Sequence, residues 1–224
     1  PKPQNPKNKK LILIIIICYK YKWIIIFITY FIRNVIDYSS AEESNIFLEG
    51  TGSIVLDRLN KKAYCAISER SNEDLLIEFC EDFEYSPIIF SAFQSVKEVR
   101  ELIYHTNVMM CVADNFVIIC LDCIDNKKER NNVISHLKGD GKEIIEISEN
   151  QVNSFAGNML QILGRNNNPL LIMSESAYNV LTNLQKDTIN KYAKIVFSSL
   201  NTIETYGGGS ARCMMAEVFL PKAK

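Results

Sequence analysis

The chain has 224 residues, 47% of them hydrophobic, which is enough for one large buried core or two small ones. Its 25 basic and 26 acidic residues are interspersed and leave a formal charge of −1, so composition offers neither a basic footprint for nucleic acid nor an acidic tail. Seven cysteines, an odd number set among apolar neighbours as at Cys65, Cys80, Cys111 and Cys120, argue against a secreted disulfide framework and for a reducing, cytoplasmic compartment.

The first 35 residues do not match the rest. The chain starts at Pro1 and has no methionine before Met109, which reads as a fragment or a processed form. A basic tail, "PKPQNPKNKK", leads into "LILIIIICYKYKWIIIFITYFIR". The length and the flanking Lys9, Lys10 and Arg33 suit a membrane anchor over residues 11–33, yet Lys20 and Lys22 near its centre would each cost about 2.5–3.5 kcal/mol on insertion. Two strands around "YKYK" fit as well, and so does a degraded remnant of a true N-terminal part. A boundary at residue 35 therefore separates an atypical segment, 1–35, from a soluble domain over 36–224.

Within that domain one pattern recurs. Residues 53–90 predict a strand, a polar turn at Leu59 to Lys62, a second strand, an amphipathic helix capped by Asn72 or Ser71, and a third strand. Residues 107–147 repeat this order, with a turn at Asp114–Asn115 and a helix from about Asn126 to Leu137 ended by Gly139. A third copy runs from "NMLQIL" through "NPLLIMS", a helix over "ESAYNVLTNLQKDTINKYAKI", and "IVFSSL". Repetition every fifty residues or so predicts a mixed α/β fold of units packed around an axis. Cys120 and Cys123, read as one strand, would point to opposite faces; with only two histidines in the chain, little supports a metal site.

In a radial fold the strand starts converge. The corresponding places read "FLEGTGS", "YHTNV", "FAGNML" and "GGGSARC", the last followed by an apolar segment read as a closing strand. Glu49, His105, Asn158 and Cys213 thus occupy comparable positions. A thiol attacks as thiolate, and an imidazole can deliver a proton to a leaving amine and then activate water. Each member also has a plain structural reading: Glu49 a solvated loop acid, His105 a satisfied core histidine, Cys213 a small buried thiol. Three consecutive glycines, Gly207 to Gly209, would let the backbone turn tightly and approach a substrate before Cys213. His136, near the end of its helix, suits a surface role beside the helix dipole.

Together, "FLEGTGS", "ISERSN", "YHTNV", "FAGNML" and above all "GGGSARCMMAEVFLP" resemble the guanidino-group-modifying, or pentein, superfamily of arginine deiminases, dimethylarginine hydrolases and amidinotransferases, most of all its citrulline-utilising branch. The resemblance covers about Ile36 to Lys222. It implies an α/β-propeller of ββαβ units around a pseudo-fivefold axis, here three to four of five units. It also implies a covalent mechanism with Cys213 as nucleophile, His105 as proton carrier and Glu49 as the acid that orients it. Arg70 resembles the basic position that grips a substrate carboxylate, with Asn107, Asn158 and Arg212 as further substrate-pocket candidates. Neither metal nor organic cofactor is implied.

The resemblance implies a hydrolase of ureido or guanidino amino acids, with citrulline first and arginine or methylarginine next; an amidinotransferase and an inactive truncated paralogue are the alternatives. Arginine deiminases carry an acid two residues after the histidine, where this chain has Asn107, which favours a neutral ureido group. Residues 1–35 show nothing like the family's upstream units, so closing the ring would need the N-terminal segment or a partner chain such as a second copy in a homodimer.

Overall fold

The computed structural model describes the backbone of residues 9–19, 22–32, 35–97 and 99–219, and the side chains of the last two ranges. The chain divides into two compact units, residues 1–44 with 217–224, and residues 45–216. In the first, strands β1 (Lys9–Tyr19) and β2 (Lys22–Ile32) pair antiparallel, in register from Lys9 opposite Ile32 to Tyr19 opposite Lys22. Among the described residues, no helix is long and apolar enough to cross a membrane.

The second unit opens on a single helical turn, α1 (Gly50–Ser53), that runs straight into β3 (Ile54–Asp57). Hairpin β3–β4 (Lys62–Ala66) turns over Leu59 to Lys61, where Lys61 takes a positive φ. Helix α2 (Glu73–Phe83) follows, capped by the Asn72 side chain accepting from the Leu75 N–H, and β5 (Ser86–Phe90) returns parallel to β4. The sheet order is β3-β4-β5.

A hairpin of β6 (Phe93–Val96) and β7 (Val99–Leu102), not anticipated in the sequence, links this unit to the next. The β, β, α, β order then recurs as β8 (Met110–Val112), β9 (Phe116–Ile119), α3 (Lys127–Gly139) and β10 (Glu143–Glu146), with β9 antiparallel to β8 and parallel to β10. Helix α3 runs through Gly139; the residue that turns the chain out is Gly141, at φ +73°. After the short α4 (Glu149–Val152), the third copy comprises β11 (Leu160–Leu163), β12 (Pro169–Ser174), α5 (Glu175–Val180), α6 (Asn183–Asn190) and β13 (Lys194–Ser198). The single helix read there is two, because Thr182 caps a new helix through a reciprocal box with Gln185. Helix α7 (Asn201–Gly207) leads to the cysteine turn.

Strand β9, central in its sheet, is buried on both faces from Phe116 to Ile119, and it centres a core with Tyr64, Phe90, Met109 and Met110. Beneath the surface, Lys142 Nζ lies 2.9 Å from Asp57 Oδ2, with both side chains essentially enclosed, and donates to the carbonyls of Ala113 and Asp114.

Two sequence expectations are corrected. Cys120 and Cys123 do not share a strand: β9 ends at Ile119, and a 3-10 turn over Leu121–Cys123 brings positions three apart onto one side. Their thiols are hydrogen-bonded to each other, which holds Cys120 down and pushes Cys123 up. The segment after Cys213 is not a closing strand either. Residues 215–219 are irregular, because a strand needs a ladder partner and none pairs with them among the described residues.

Candidate active site

The loop that carries Glu49 is stitched to the loop that carries Arg70. The N–H of Glu49 donates to the carbonyl of Arg70 at 3.2 Å, and Ser53 Oγ donates to the same carbonyl at 2.7 Å while accepting from Glu49 N–H at 3.0 Å. A second stitch comes from Thr106, fully buried, whose hydroxyl donates to the Ser53 carbonyl and accepts from the Ala66 N–H. His105 immediately precedes Thr106 at the head of a 3-10 turn, so fixing Thr106 places the imidazole against Glu49.

There, His105 Nε2 and Glu49 Oε2 are 2.6 Å apart, with the histidine side chain 17% exposed and the carboxylate 42%. The ring lies flat on Gly52, where an added Cβ would sit 2.9 Å from two imidazole atoms. Arg70 Nη1 approaches the same Glu49 oxygen at 3.6 Å and covers the Tyr104 ring, which in turn tilts against His105 with centroids 4.9 Å apart. The Arg70–Glu49 pair is half exposed and contributes little by itself.

A second cluster surrounds the thiol. Cys213 sits in a 3-10 turn, Arg212–Met214, and is exposed, whereas the other described cysteines are buried. Asn158 reaches it with Nδ2 3.3 Å from Sγ, donates to the Asn107 carbonyl at 3.2 Å, and accepts the Arg212 N–H on Oδ1 at 3.0 Å. Gly157 permits this approach, since a Cβ there would lie 2.2 Å from the Val108 carbonyl oxygen. Asn107, two residues after His105, donates through Nδ2 to the Thr51 carbonyl at 3.0 Å; its Oδ1 is enclosed and has no hydrogen-bond partner among the described residues.

Tyr104, which the sequence reading passed over, joins the clusters. Burial pushes its phenol up, negative charge on Cys213 adds to this, and Arg70 opposes it. No sequence signal marks it apart from its place beside His105. Of the glycine run, only two positions need glycine here. Gly208 ends α7 at φ +66°, and a Cβ on Gly209 would crowd Cys213 Cβ at 3.1 Å and Sγ at 3.3 Å, whereas Gly207 is an ordinary helical residue. Among the described residues, no group of three or more His, Cys, Asp or Glu side chains could hold a metal ion.

The repeated small ββαβ sheets are those of a known fold. The chain resembles the crystal structure of apo ArgZ, an arginine dihydrolase from the ornithine–ammonia cycle in cyanobacteria, with a TM-score of 0.58 and 14% identity over 78% of this chain and 26% of that one. It resembles the N-terminal domain of a cysteine-to-serine mutant of ArgZ bound to substrate (TM-score 0.55, 18% identity, 74% of this chain and 54% of that one). A third match is the same domain of another mutant covalently bound to a reaction intermediate (0.56, 19%, 78% and 58%). The chain thus spans about a quarter of full-length ArgZ and little more than half of its N-terminal domain. No curated protein sequence matches it.

These likenesses define the class, a mixed α/β protein of the pentein fold. The family model of eukaryotic N,N-dimethylarginine dimethylhydrolases matches residues 24–220, and the chain belongs to that family.

Proposed function

We propose that residues 45–216, within the 36–224 domain, form the catalytic body of a cysteine-dependent hydrolase that cleaves a C–N bond of a guanidino amino acid. The observation that carries this reading is the Glu49–His105 contact, formed beside a turn that presents an exposed thiol. Family membership puts N,N-dimethylarginine ahead of citrulline as the substrate to try first.

In this reading the Cys213 thiolate attacks the central guanidinium carbon, a poor electrophile because of resonance, so the group must be held in place. The C–N bond to the substituted nitrogen breaks, and His105 supplies the proton that lets dimethylamine leave. Water, deprotonated by the same imidazole, then attacks the S-bound carbon; the C–S bond breaks and the ureido amino acid is released with the thiol restored. Glu49 orients the imidazole and stabilises its protonated form. Arg70, with its planar fork, suits the substrate carboxylate, and the unpartnered Oδ1 of Asn107 is an acceptor for a substrate N–H.

The test incubates the wild-type chain and Cys213→Ala with N,N-dimethylarginine, arginine and citrulline, and measures dimethylamine, ammonia and amino-acid products. An added primary amine reports amidino transfer in place of hydrolysis. Cys213-dependent release of dimethylamine is expected; absence of Cys213-dependent turnover of all three overturns the reading.

A further inference from the structure

We propose that Asn158 is a positioning residue that clamps the Cys213 sulfur and donates a hydrogen bond to its thiolate, a role that rests on Cys213 being the nucleophile. A side-chain amide has one accepting end and one donating end, and here both are pinned by the backbone. Oδ1 receives the Arg212 N–H at 3.0 Å, and Nδ2 gives one hydrogen to the Asn107 carbonyl at 3.2 Å. Reversing the amide would set donor against donor and acceptor against acceptor, so the orientation is fixed. The second Nδ2 hydrogen is left for Cys213 Sγ, 3.3 Å away.

The sulfur also lies 3.6 Å from Oδ1, so a protonated thiol can donate there, sharing that oxygen with the Arg212 N–H. A protonated sulfur accepts the Nδ2 hydrogen only weakly, whereas the deprotonated sulfur accepts it in a charge-assisted bond. The amide therefore favours the attacking form of Cys213. Asn158 is buried, 3% exposed, and its oxygen and both its N–H groups are directed at protein atoms, which suits a clamp better than a substrate contact. Because Asn107 in turn holds the Thr51 carbonyl, the clamp ties the thiol turn to the loop that begins at Glu49.

The test follows iodoacetamide alkylation of Cys213 against pH in the full chain, read by mass spectrometry of its peptide. Wild type is compared with Asn158→Leu and the near-isosteric Asn158→Asp, each checked for fold by circular dichroism. Tyr104, whose phenol feels the charge on Cys213, and Arg212, which precedes Cys213 on the same turn, are unchanged in every variant. Loss of the donor is expected to raise the alkylation midpoint by about one pH unit in Asn158→Leu, and further in Asn158→Asp, whose carboxylate repels the thiolate. In the wild-type protein, which needs no variant to fold, the Asn158 side-chain N–H resonances should titrate with that same midpoint. Midpoints unchanged in the folded variants, or resonances that do not follow the wild-type midpoint, overturn the proposal. No turnover is read, so a chain without hydrolase activity still decides it, and an active chain with an unchanged midpoint overturns the clamp alone.

Discussion

His105 Nε2 and Glu49 Oε2 lie 2.6 Å apart although 56 positions separate them in the chain, and no backbone element joins them directly. The contact is made by the buried Thr106 and by Ser53, which lock the two loops together, so the carboxylate is aimed before any substrate arrives. Glu49→Gln keeps the size of the side chain and removes the charge that would stabilise a protonated imidazole. We expect dimethylarginine turnover to fall about 10²-fold or more, in the range of lost general acid–base catalysis, with an unchanged melting temperature. Steady-state kinetics beside a thermal melt checks this.

Gly52 is the floor under the His105 ring, with no room for a methyl group beneath it. Gly52→Ala must push the imidazole off the Glu49 carboxylate, and misplacement by about 1 Å costs on the order of 100-fold in rate. The expected outcome is a loss of kcat of that size in a protein that still folds, read by kinetics and circular dichroism. Full activity in Gly52→Ala would show that His105 is not held by this packing.

Much of the fold is legible where one face is buried. Helix α2 could be read because Leu75, Leu76 and Cys80 fall at helical spacing and Asn72 marks the cap, and β3 and β4 because, buried at nearly every position, they show as short apolar runs on either side of a polar turn. Hairpin β6–β7 could not, since all of β7 is exposed and an element without a buried face writes no period. The segment after Cys213 reads as a strand for the opposite reason: it has the apolar residues, but only tertiary structure says whether another strand lies alongside. The site divides the same way. Glu49 and Cys213 stand out as chemistry-bearing residues in glycine-marked motifs and His105 as one of only two histidines in the chain, whereas Tyr104, Ser53 and Thr106 act through contacts that sequence spacing does not encode.

The enclosed Lys142–Asp57 pair joins the first sheet to the residues that lead into β10. Lys142→Met removes one partner and leaves a buried carboxylate answered, among the described residues, only by Asn60, whose N–H and Nδ2 donate to it. Loss of about 3–5 kcal/mol is expected, seen as a lower urea midpoint. Adding Asp57→Asn keeps an acceptor for Asn60 and removes the stranded charge, so the double variant should regain part of that loss.

Glu204 on α7 holds the glycine turn from behind, accepting from Ser210 Oγ and Ser176 Oγ, each at 2.7 Å. Burial raises its carboxyl, but the hydroxyls of Ser174, Ser210 and Ser176 together outweigh burial, and the net direction is below the ordinary 4.5. A depressed carboxyl stabilises the fold above its unfolded value and ceases to do so as pH falls through the folded one, so the contribution is present at neutral pH and lost on acidification below about 4.5. Glu204→Gln keeps an oxygen that can accept one of the two hydroxyls and should therefore lower stability by about 1 kcal/mol at neutral pH, the scale of one ordinary hydrogen bond, and flatten the acid limb of the stability curve. Ser210 lies three residues before Cys213, and its carbonyl accepts the Cys213 N–H at 3.1 Å, so the same variant should also slow Cys213 alkylation at neutral pH. Urea melts across the acidic range and labelling rates at neutral pH check both effects, and an acid limb identical to wild type would remove Glu204 from this account.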